Sequence, residues 1–266
     1  ILSPSHQRFA LAFARKKRLR VIGPCNFSRL AGAKEMQVGT FIHGGGATSE
    51  LIAQAKKAAR GSANILIEGM PGSGKTALAH FIHECAPNAG PIAPVYCAAG
   101  DDPVEALRTR SGASVTLILY DVAELGASSQ AELAMALRSE PAAWIIAAST
   151  RDLSDAMTAG TFRADLFYRL AVVTLRVPPL AERPKDIPAL ARHFTAKFAD
   201  VYGIAPRTLS DEALDRLAGY HWPGNVRELE NVIQRAVLFA EGETVHARDI
   251  NLSVQPAGEN APLSAT

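Results

Sequence analysis

The regular part of the chain begins near residue 49. Apolar positions recur at helical spacing over residues 50–59, and an apolar triplet, Ile65-Leu66-Ile67, then runs into a glycine-rich turn. Short apolar runs return at 94–97, 115–120, 144–148 and 172–177, with helical patterns between most of them. Strands alternating with helices predict an α/β fold with a doubly wound parallel sheet. After Pro178-Pro179 the strand pattern stops, and helical patterns follow at 187–202, 211–220 and 226–240, with Ser210 and Asn225 placed to cap the last two. The pattern divides the chain into an irregular segment 1–40, an α/β subdomain 41–182, a small helical subdomain 183–252, and a tail 253–266. Pro, Ala, Ser and Gly in that tail predict disorder.

The glycine-rich turn carries the first chemistry. Gly69-Met70-Pro71-Gly72-Ser73-Gly74-Lys75-Thr76 matches G-x-x-x-x-G-K-[ST], preceded by a strand pattern and followed by the helical stretch 77–85. Glycines let the backbone wrap around phosphates, so that successive N–H groups and the positive end of the next helix face the oxygens. Lys75 is expected to reach the β- and γ-phosphates of ATP, and the Thr76 hydroxyl to ligate Mg²⁺.

Composition narrows the partners. With 28 Lys and Arg against 26 Asp and Glu, overall charge gives no argument for tight nucleic-acid or membrane binding. The local run Ala14-Arg15-Lys16-Lys17-Arg18-Leu19-Arg20 could touch phosphates or be a solvated helix end. Cys25, Cys85 and Cys97 are an odd, widely spaced set that reads as reduced thiols of a cytoplasmic protein. No apolar run has the roughly 18 residues needed to span a bilayer. The chain opens at Ile1 without a leader pattern and reads as a fragment or processed product. His80, His83 and Cys85 superficially resemble a metal cluster, but they do not share one helix face well and are expected to pack or lie exposed.

Three ordered segments of the C-terminal half carry a family resemblance. Gly160-Thr161-Phe162-Arg163-Ala164-Asp165-Leu166-Phe167-Tyr168-Arg169-Leu170, then Pro178-Pro179-Leu180-Ala181-Glu182-Arg183, then Trp222-Pro223-Gly224-Asn225-Val226-Arg227-Glu228-Leu229 resemble segments of the central AAA+ ATPase domain of sigma-54-dependent transcriptional activators, and the last repeats that family's W-P-G-N-V-R-E-L unchanged. The resemblance runs from about Val38 to Leu252. It implies an ATP-binding AAA+ module with a helical lid. Arg163 and Arg169 match arginine fingers, which reach a neighbouring subunit's nucleotide, and their permanently charged forks suit charge developing on a γ-phosphate. Local ion pairs with Asp165 or surface carboxylates are the alternative for both. Arg227 matches the lid arginine that touches nucleotide in its own subunit, while Trp222 and Val226 read as core anchors.

Departures from the family pattern are equally specific. Its T-L-F-L-D-E-I-G-E-L stretch corresponds here to Thr116-Leu117-Ile118-Leu119-Tyr120-Asp121-Val122-Ala123-Glu124-Leu125. Aligned without gaps, Tyr120 replaces the Mg²⁺-associated Asp and Asp121 replaces the water-activating Glu. A one-residue shift returns Asp121 to the metal but puts Val122 in the base position. Either way one carboxylate is lost, and slow hydrolysis is expected, because positioning and electrostatics carry phosphoryl transfer. Thr150 stands where the family has the Asn of its sensor strand, a hydroxyl that can still bond a water. Between Cys97-Ala98-Ala99 and Val115 lie only residues 100–114, without the G-A-F-T-G-A loop through which relatives grip sigma-54. No counterpart of the family's C-terminal helix-turn-helix follows His246-Ala247-Arg248-Asp249-Ile250, so sequence-specific DNA binding is not expected.

The resulting expectation is a cytoplasmic regulatory AAA+ protein that binds ATP and Mg²⁺. It assembles with itself or a fuller activator of the same family and touches sigma-54 polymerase only indirectly. The alternatives are an active ATPase remodelling another protein, with Asp121 as a serviceable carboxylate, and a small-molecule kinase, which the finger and lid motifs disfavour.

Overall fold

The computed structural model describes residues 41–61, 63–87, 89–108, 115–139 and 143–252; the basic run, Cys25 and the tail lie outside them. Helix α1 (Ala47–Ala59) precedes strand β1 (Ile65–Glu68), and the glycine-rich turn leads into α2 (Lys75–Cys85). Strand β2 (Ile92–Tyr96), the short helix α3 (Pro103–Arg108), β3 (Val115–Tyr120), α4 (Ala127–Ser139), β4 (Ala143–Ser149), α5 (Leu153–Thr158), α6 (Ala164–Leu170) and β5 (Val173–Arg176) complete the α/β part.

The five strands pair in parallel in the order β2-β3-β4-β1-β5. Strands covered on both faces need apolar residues in both directions, and the runs supply them. Leu66, Leu117, Leu119 and Ile145 pack on one face with Leu133, Leu153 and Leu166 of α4, α5 and α6. Ile65, Ile67, Ile118 and Ile146 pack on the other with Leu51 and Ile52 of α1 and Leu78 and Ile82 of α2. Each such side chain, fully buried, contributes roughly 1.5–3 kcal/mol before entropy is counted. The C-terminal ends of β1, β3 and β4 therefore emerge along one edge, where open α/β sheets place their ligands.

Beyond Leu180 a separate apolar cluster forms. Its helices are α7 (Asp186–Tyr202), α8 (Asp211–Ala218) and α9 (Asn225–Phe239), packed around Ile187, Phe194, Leu217, Trp222, Leu229 and Ile233. Ser210 caps α8, accepting a hydrogen bond from Ala213 N at 3.3 Å. Two expectations are corrected. Strands do not stop after Pro179: β6 (Thr208–Leu209) and β7 (Thr244–Val245) pair in parallel, too short to leave an alternating pattern in the sequence. Asn225 does not cap α9 either. Gly224 holds that position, and the Asn225 side chain is committed elsewhere. Among the described residues no helix is long and apolar enough to cross a membrane.

Candidate nucleotide site

Gly69 to Gly74 turn from β1 into α2, whose first residue is Lys75. Its ammonium folds back over the loop, donating to the carbonyls of Gly69 (2.7 Å) and Met70 (3.1 Å). Burial pulls its pKa below the usual lysine range, the charge of Asp121 pushes it back up, and that of Arg227 lowers it. Asp121 and Arg227 are thus both within electrostatic reach of Lys75. Met70 is half-exposed, Ser73 fully buried, and Thr76 lies exposed in the first turn of α2. The Ser73 hydroxyl is buried without a hydrogen-bond partner.

The helical subdomain closes directly on this loop. Val226 N and Arg227 N donate to Gly72 O (3.0 and 3.3 Å), and Asn225 Nδ2 donates to Pro71 O (3.0 Å) while its Oδ1 accepts from Leu180 N (2.8 Å). The approach requires glycine at position 72: its φ is +73°, and a Cβ there would meet Gly224 O at 2.4 Å. Arg183 Nη2 donates to Ser73 O. The same guanidinium pairs with the buried Asp186 carboxylate at 3.5 Å, which also accepts from Gly44 N and Thr48 Oγ1, both at 2.6 Å. Gly44 lies so close to α7 that a Cβ would meet Lys185 O at 1.7 Å.

Ion pairs tie the strand ends together. Arg176 on β5 donates to Glu68 at the end of β1 (3.2 Å) and to Asp152 (2.8 Å), and Glu68 also accepts from Leu153 N (3.1 Å). Arg151 pairs with Glu124 at 2.9 Å, linking the turn after β4 to the turn after β3. Thr150, half-buried, sits at the bend following β4. Beside it a cleft of about 400 Å³ opens, lined by Gly69, Met70, Thr150, Arg151, Arg176 and Glu182 among others.

A phosphate loop between a strand and a helix, with an arginine-bearing helical cap folded on it, is the geometry of a P-loop fold, and the comparisons with known proteins specify which kind. Residues 44–180, more than half of the 266-residue chain, match the sigma-54 interaction domain, and residues 181–265 match the AAA+ ATPase lid domain. The chain belongs to the sigma-54 interaction family of AAA+ proteins. It is 32% identical to the transcriptional regulatory protein ZraR of Salmonella typhi, covering 90% of this chain and 61% of the relative. Against the transcriptional regulatory protein FlbD of Caulobacter vibrioides it is 37% identical, covering 77% and 52%. The chain therefore spans between half and two thirds of these relatives. Among solved structures it resembles NtrX from Brucella abortus in complex with ADP (TM-score 0.71, 26% identity, 95% of this chain and 61% of that one). RuvB from Thermotoga maritima, 16% identical, covering 79% of this chain and 68% of that one, shares the fold (TM-score 0.58).

Within this sigma-54 family AAA+ fold, the divergent positions are well defined. Tyr120 ends β3 with its hydroxyl 3.1 Å from His80 Nε2 and its ring stacked on Tyr96 at 4.9 Å. Asp121 follows at φ +54°, a left-handed residue that turns the chain into a 3₁₀ turn, Val122–Glu124. Arg163 stands before α6, exposed, bidentate to Asp165 at 3.0 Å on both nitrogens, which is the local pairing foreseen as the alternative to a finger. Arg169, at the far end of α6, donates to Leu137 O at 3.3 Å. Arg227 meets the loop through its backbone N–H on Gly72 O, and Lys75 through its ammonium; the two finger candidates stay outside the loop's own contacts, each engaged locally.

The two histidines are half-buried and packed, in keeping with the expectation that they pack or lie exposed, but contrary to it they share a face of α2. His80 and His83, three residues apart on α2, both turn toward β3, His83 lying 2.9 Å from Thr116 Oγ1. Sequence reasoning also missed Arg183, Asp186 and Glu68. Arg183 lay inside a segment already matched, but Asp186 and Glu68 stood in no motif, and only the fold joins them to the loop.

Proposed function

We propose that the chain binds ATP with Mg²⁺ and acts as a regulatory AAA+ subunit, assembling with itself or with a fuller activator. The observation that carries this is the complete phosphate loop, with Lys75 and Arg227 converging on it and the lid hydrogen-bonded to its carbonyls. The residues present fit a polyphosphate: Gly69, Gly72 and Gly74 keep three positions of the loop free of side chains, and α2 presents its N-terminal N–H groups. NtrX, a relative by fold, was crystallised with ADP, which supports the same ligand here. Residues 41–182 then form the nucleotide-binding subdomain and 183–252 the lid, a division that their separate apolar clusters support.

In this reading Lys75 releases the carbonyls of Gly69 and Met70 and turns to the β- and γ-phosphates. Thr76 and Asp121 supply hard oxygen ligands for Mg²⁺, which would neutralise charge on the phosphates when bound. Thr150 orients water from the tip of β4. Arg163 exchanges Asp165 for a neighbour's γ-phosphate, at little cost because an exposed pair is weakly held, and Arg169 supports it. Hydrolysis is slow because one carboxylate of the family's pair is missing, and no loop grips sigma-54. A second reading is an active ATPase remodelling another protein, with Asp121 as a serviceable carboxylate. Fluorescent ATP titrated against the parent and Lys75→Ala tests the first claim, with binding expected in the parent and lost in the variant. Equal binding by both sinks the assignment of Lys75, and steady-state turnover separates the two readings.

A further inference from the structure

Every carbonyl from Gly69 to Ser73 has a donor, and the donors fall into two groups. Lys75 takes Gly69 and Met70 from the loop's own helix, and Ser73 N also donates to Met70 O at 3.2 Å from within the loop. Pro71, Gly72 and Ser73 are taken from outside by Asn225 Nδ2, by the backbone N–H groups of Val226 and Arg227, and by Arg183 Nη2. In a trans peptide the N–H of one residue points opposite to the carbonyl of the residue before it, and no peptide bond among the described residues is cis. A donor fixed on Pro71 O therefore turns Gly72 N–H away from the lid, and one fixed on Ser73 O does the same to Gly74 N–H.

Neither donor is free to wander. Asn225 is 1% exposed, with one end of its amide on Pro71 O and the other on Leu180 N, so the ring of contacts fixes its orientation. The Arg183 side chain is 2% exposed and held by Asp186, itself fixed by Gly44 N and Thr48 Oγ1. We propose that Asn225 and Arg183 are positioning residues of the phosphate loop: from the lid side they set the direction of the Gly72 and Gly74 N–H groups, and through them the affinity for a β-phosphate. The proposal rests on the nucleotide reading above. It assigns the lid a second task beside presenting Arg227, namely holding the cradle in shape.

Two conservative variants test it. Asn225→Asp keeps the acceptor for Leu180 N and removes the donor to Pro71 O. Arg183→Lys keeps a positive charge beside Asp186 but has no fork to span both Asp186 and Ser73 O. Calorimetric titration with ADP and with AMP, beside melting of the nucleotide-free protein, gives the readout. Each variant is expected to bind ADP about tenfold more weakly, the loss of roughly one oriented hydrogen bond. AMP affinity should change little, so the ADP-over-AMP preference collapses, which a merely loosened fold does not produce. In the parent, the Gly72 and Gly74 amide resonances should shift with ADP and much less with AMP, whatever the variants do. Variants that keep the parent's ADP-over-AMP preference, or parent amides that ignore ADP, overturn the positioning role while nucleotide binding stands. A parent that binds no ADP removes both readings together.

Discussion

The Tyr120 hydroxyl lies 3.1 Å from Nε2 of His80, so the end of β3 is bonded to the helix that follows the phosphate loop. The phenol also stacks on Tyr96, its register partner on β2, and burial, with Tyr96 adding to it, holds its pKa up at about 12. A neutral, committed hydroxyl thus occupies the position that the ungapped alignment gives to a metal-associated carboxylate. Turnover by the parent is expected below the roughly 1–100 s⁻¹ of efficient phosphoryl-transfer enzymes, and Tyr120→Asp with Asp121→Glu is expected to raise it. The double variant should also melt lower, because it forfeits the stack on Tyr96. Tyr120→Phe, which removes only the hydrogen bond, costs about 1 kcal/mol and brings no gain in rate. A parent already in that range overturns the degenerate-site reading.

Burial lowers the pKa of His80, His83 and His193, with Glu84 opposing it at the first two and Glu230 at the third, while His80 and Lys197 reinforce it at His83 and His193 respectively. A folded-state pKa below the ordinary value of about 6.5 means that the unfolded chain takes up protons that the folded one refuses. Stability from these groups is therefore fully present above about pH 7 and is lost as pH falls through 6.5 toward the depressed values. The melting temperature should drop between about pH 7 and 5, less steeply in His80→Gln. A melting temperature that rises over that interval contradicts the assignment.

Much of this arrangement was legible in the sequence, and the misses share a cause. The strands of the parallel sheet were visible because burial on both faces leaves continuous apolar runs, such as Val115–Tyr120. The phosphate loop was visible because its glycines meet backbone demands that few other residues satisfy. The spacing of Asn225 suits a cap. Its amide instead spans to Pro71 and Leu180, partners 154 and 45 residues away, which no local pattern encodes. That His80 and His83 share a face is hidden for a similar reason: which face of α2 meets β3 is decided by Leu78 and Ile82 packing on the sheet, and that turns both histidines inward.

The Arg183–Asp186 pair offers a test of the lid's attachment. Asp186→Ala leaves the guanidinium buried without its counter-charge and strips the acceptor from Gly44 N and Thr48 Oγ1. Breaking a buried pair from one side costs about 3–5 kcal/mol. Urea denaturation should register that loss, and Asp186→Leu combined with Arg183→Met should lose less than the two single changes added together. A change under about 1 kcal/mol in Asp186→Ala would mean that the pair contributes no more than an exposed one.

Arg163 separates a local role from a role in a neighbour. Its pair with Asp165 is exposed, so Arg163→Ala should melt close to the parent. If Arg163 acts on a neighbour's nucleotide, turnover should nevertheless fall by about 10³ or more, the range for a lost arginine finger. Mixing supplies the decisive arm. Arg163→Ala keeps the phosphate loop and Lys75→Ala keeps the finger, so the two inactive chains together should recover part of the activity. Mixtures no more active than their components count against a contact in trans.

The chain by itself should form no open complexes with sigma-54 polymerase. Relatives in this family transmit their nucleotide state through a G-A-F-T-G-A loop projecting between the segments that correspond here to Cys97-Ala98-Ala99 and β3. This chain spends only residues 100–114 on that connection and carries the motif nowhere. Fifteen residues reach at most about 50 Å when fully extended. Part of that reach is already used, because Pro103–Arg108 is helical, with Val104 and Leu107 buried in the main core rather than projecting from it. A helix advances about 1.5 Å per residue against about 3.3 Å for extended chain, so those six residues give up more than half of their reach. On the reading proposed above, the short connection does not carry the sigma-54 grip, and that is what the assay tests. In an assembly with a fuller activator, the phosphate loop and Arg163 could complete neighbouring sites, and the chain would then alter promoter opening only through that activator. An open-complex assay with purified chain, ATP and sigma-54 polymerase should be blank, and should respond to the chain only when a second AAA+ activator is added. Open complexes formed without one would overturn the regulatory reading and favour an autonomous motor.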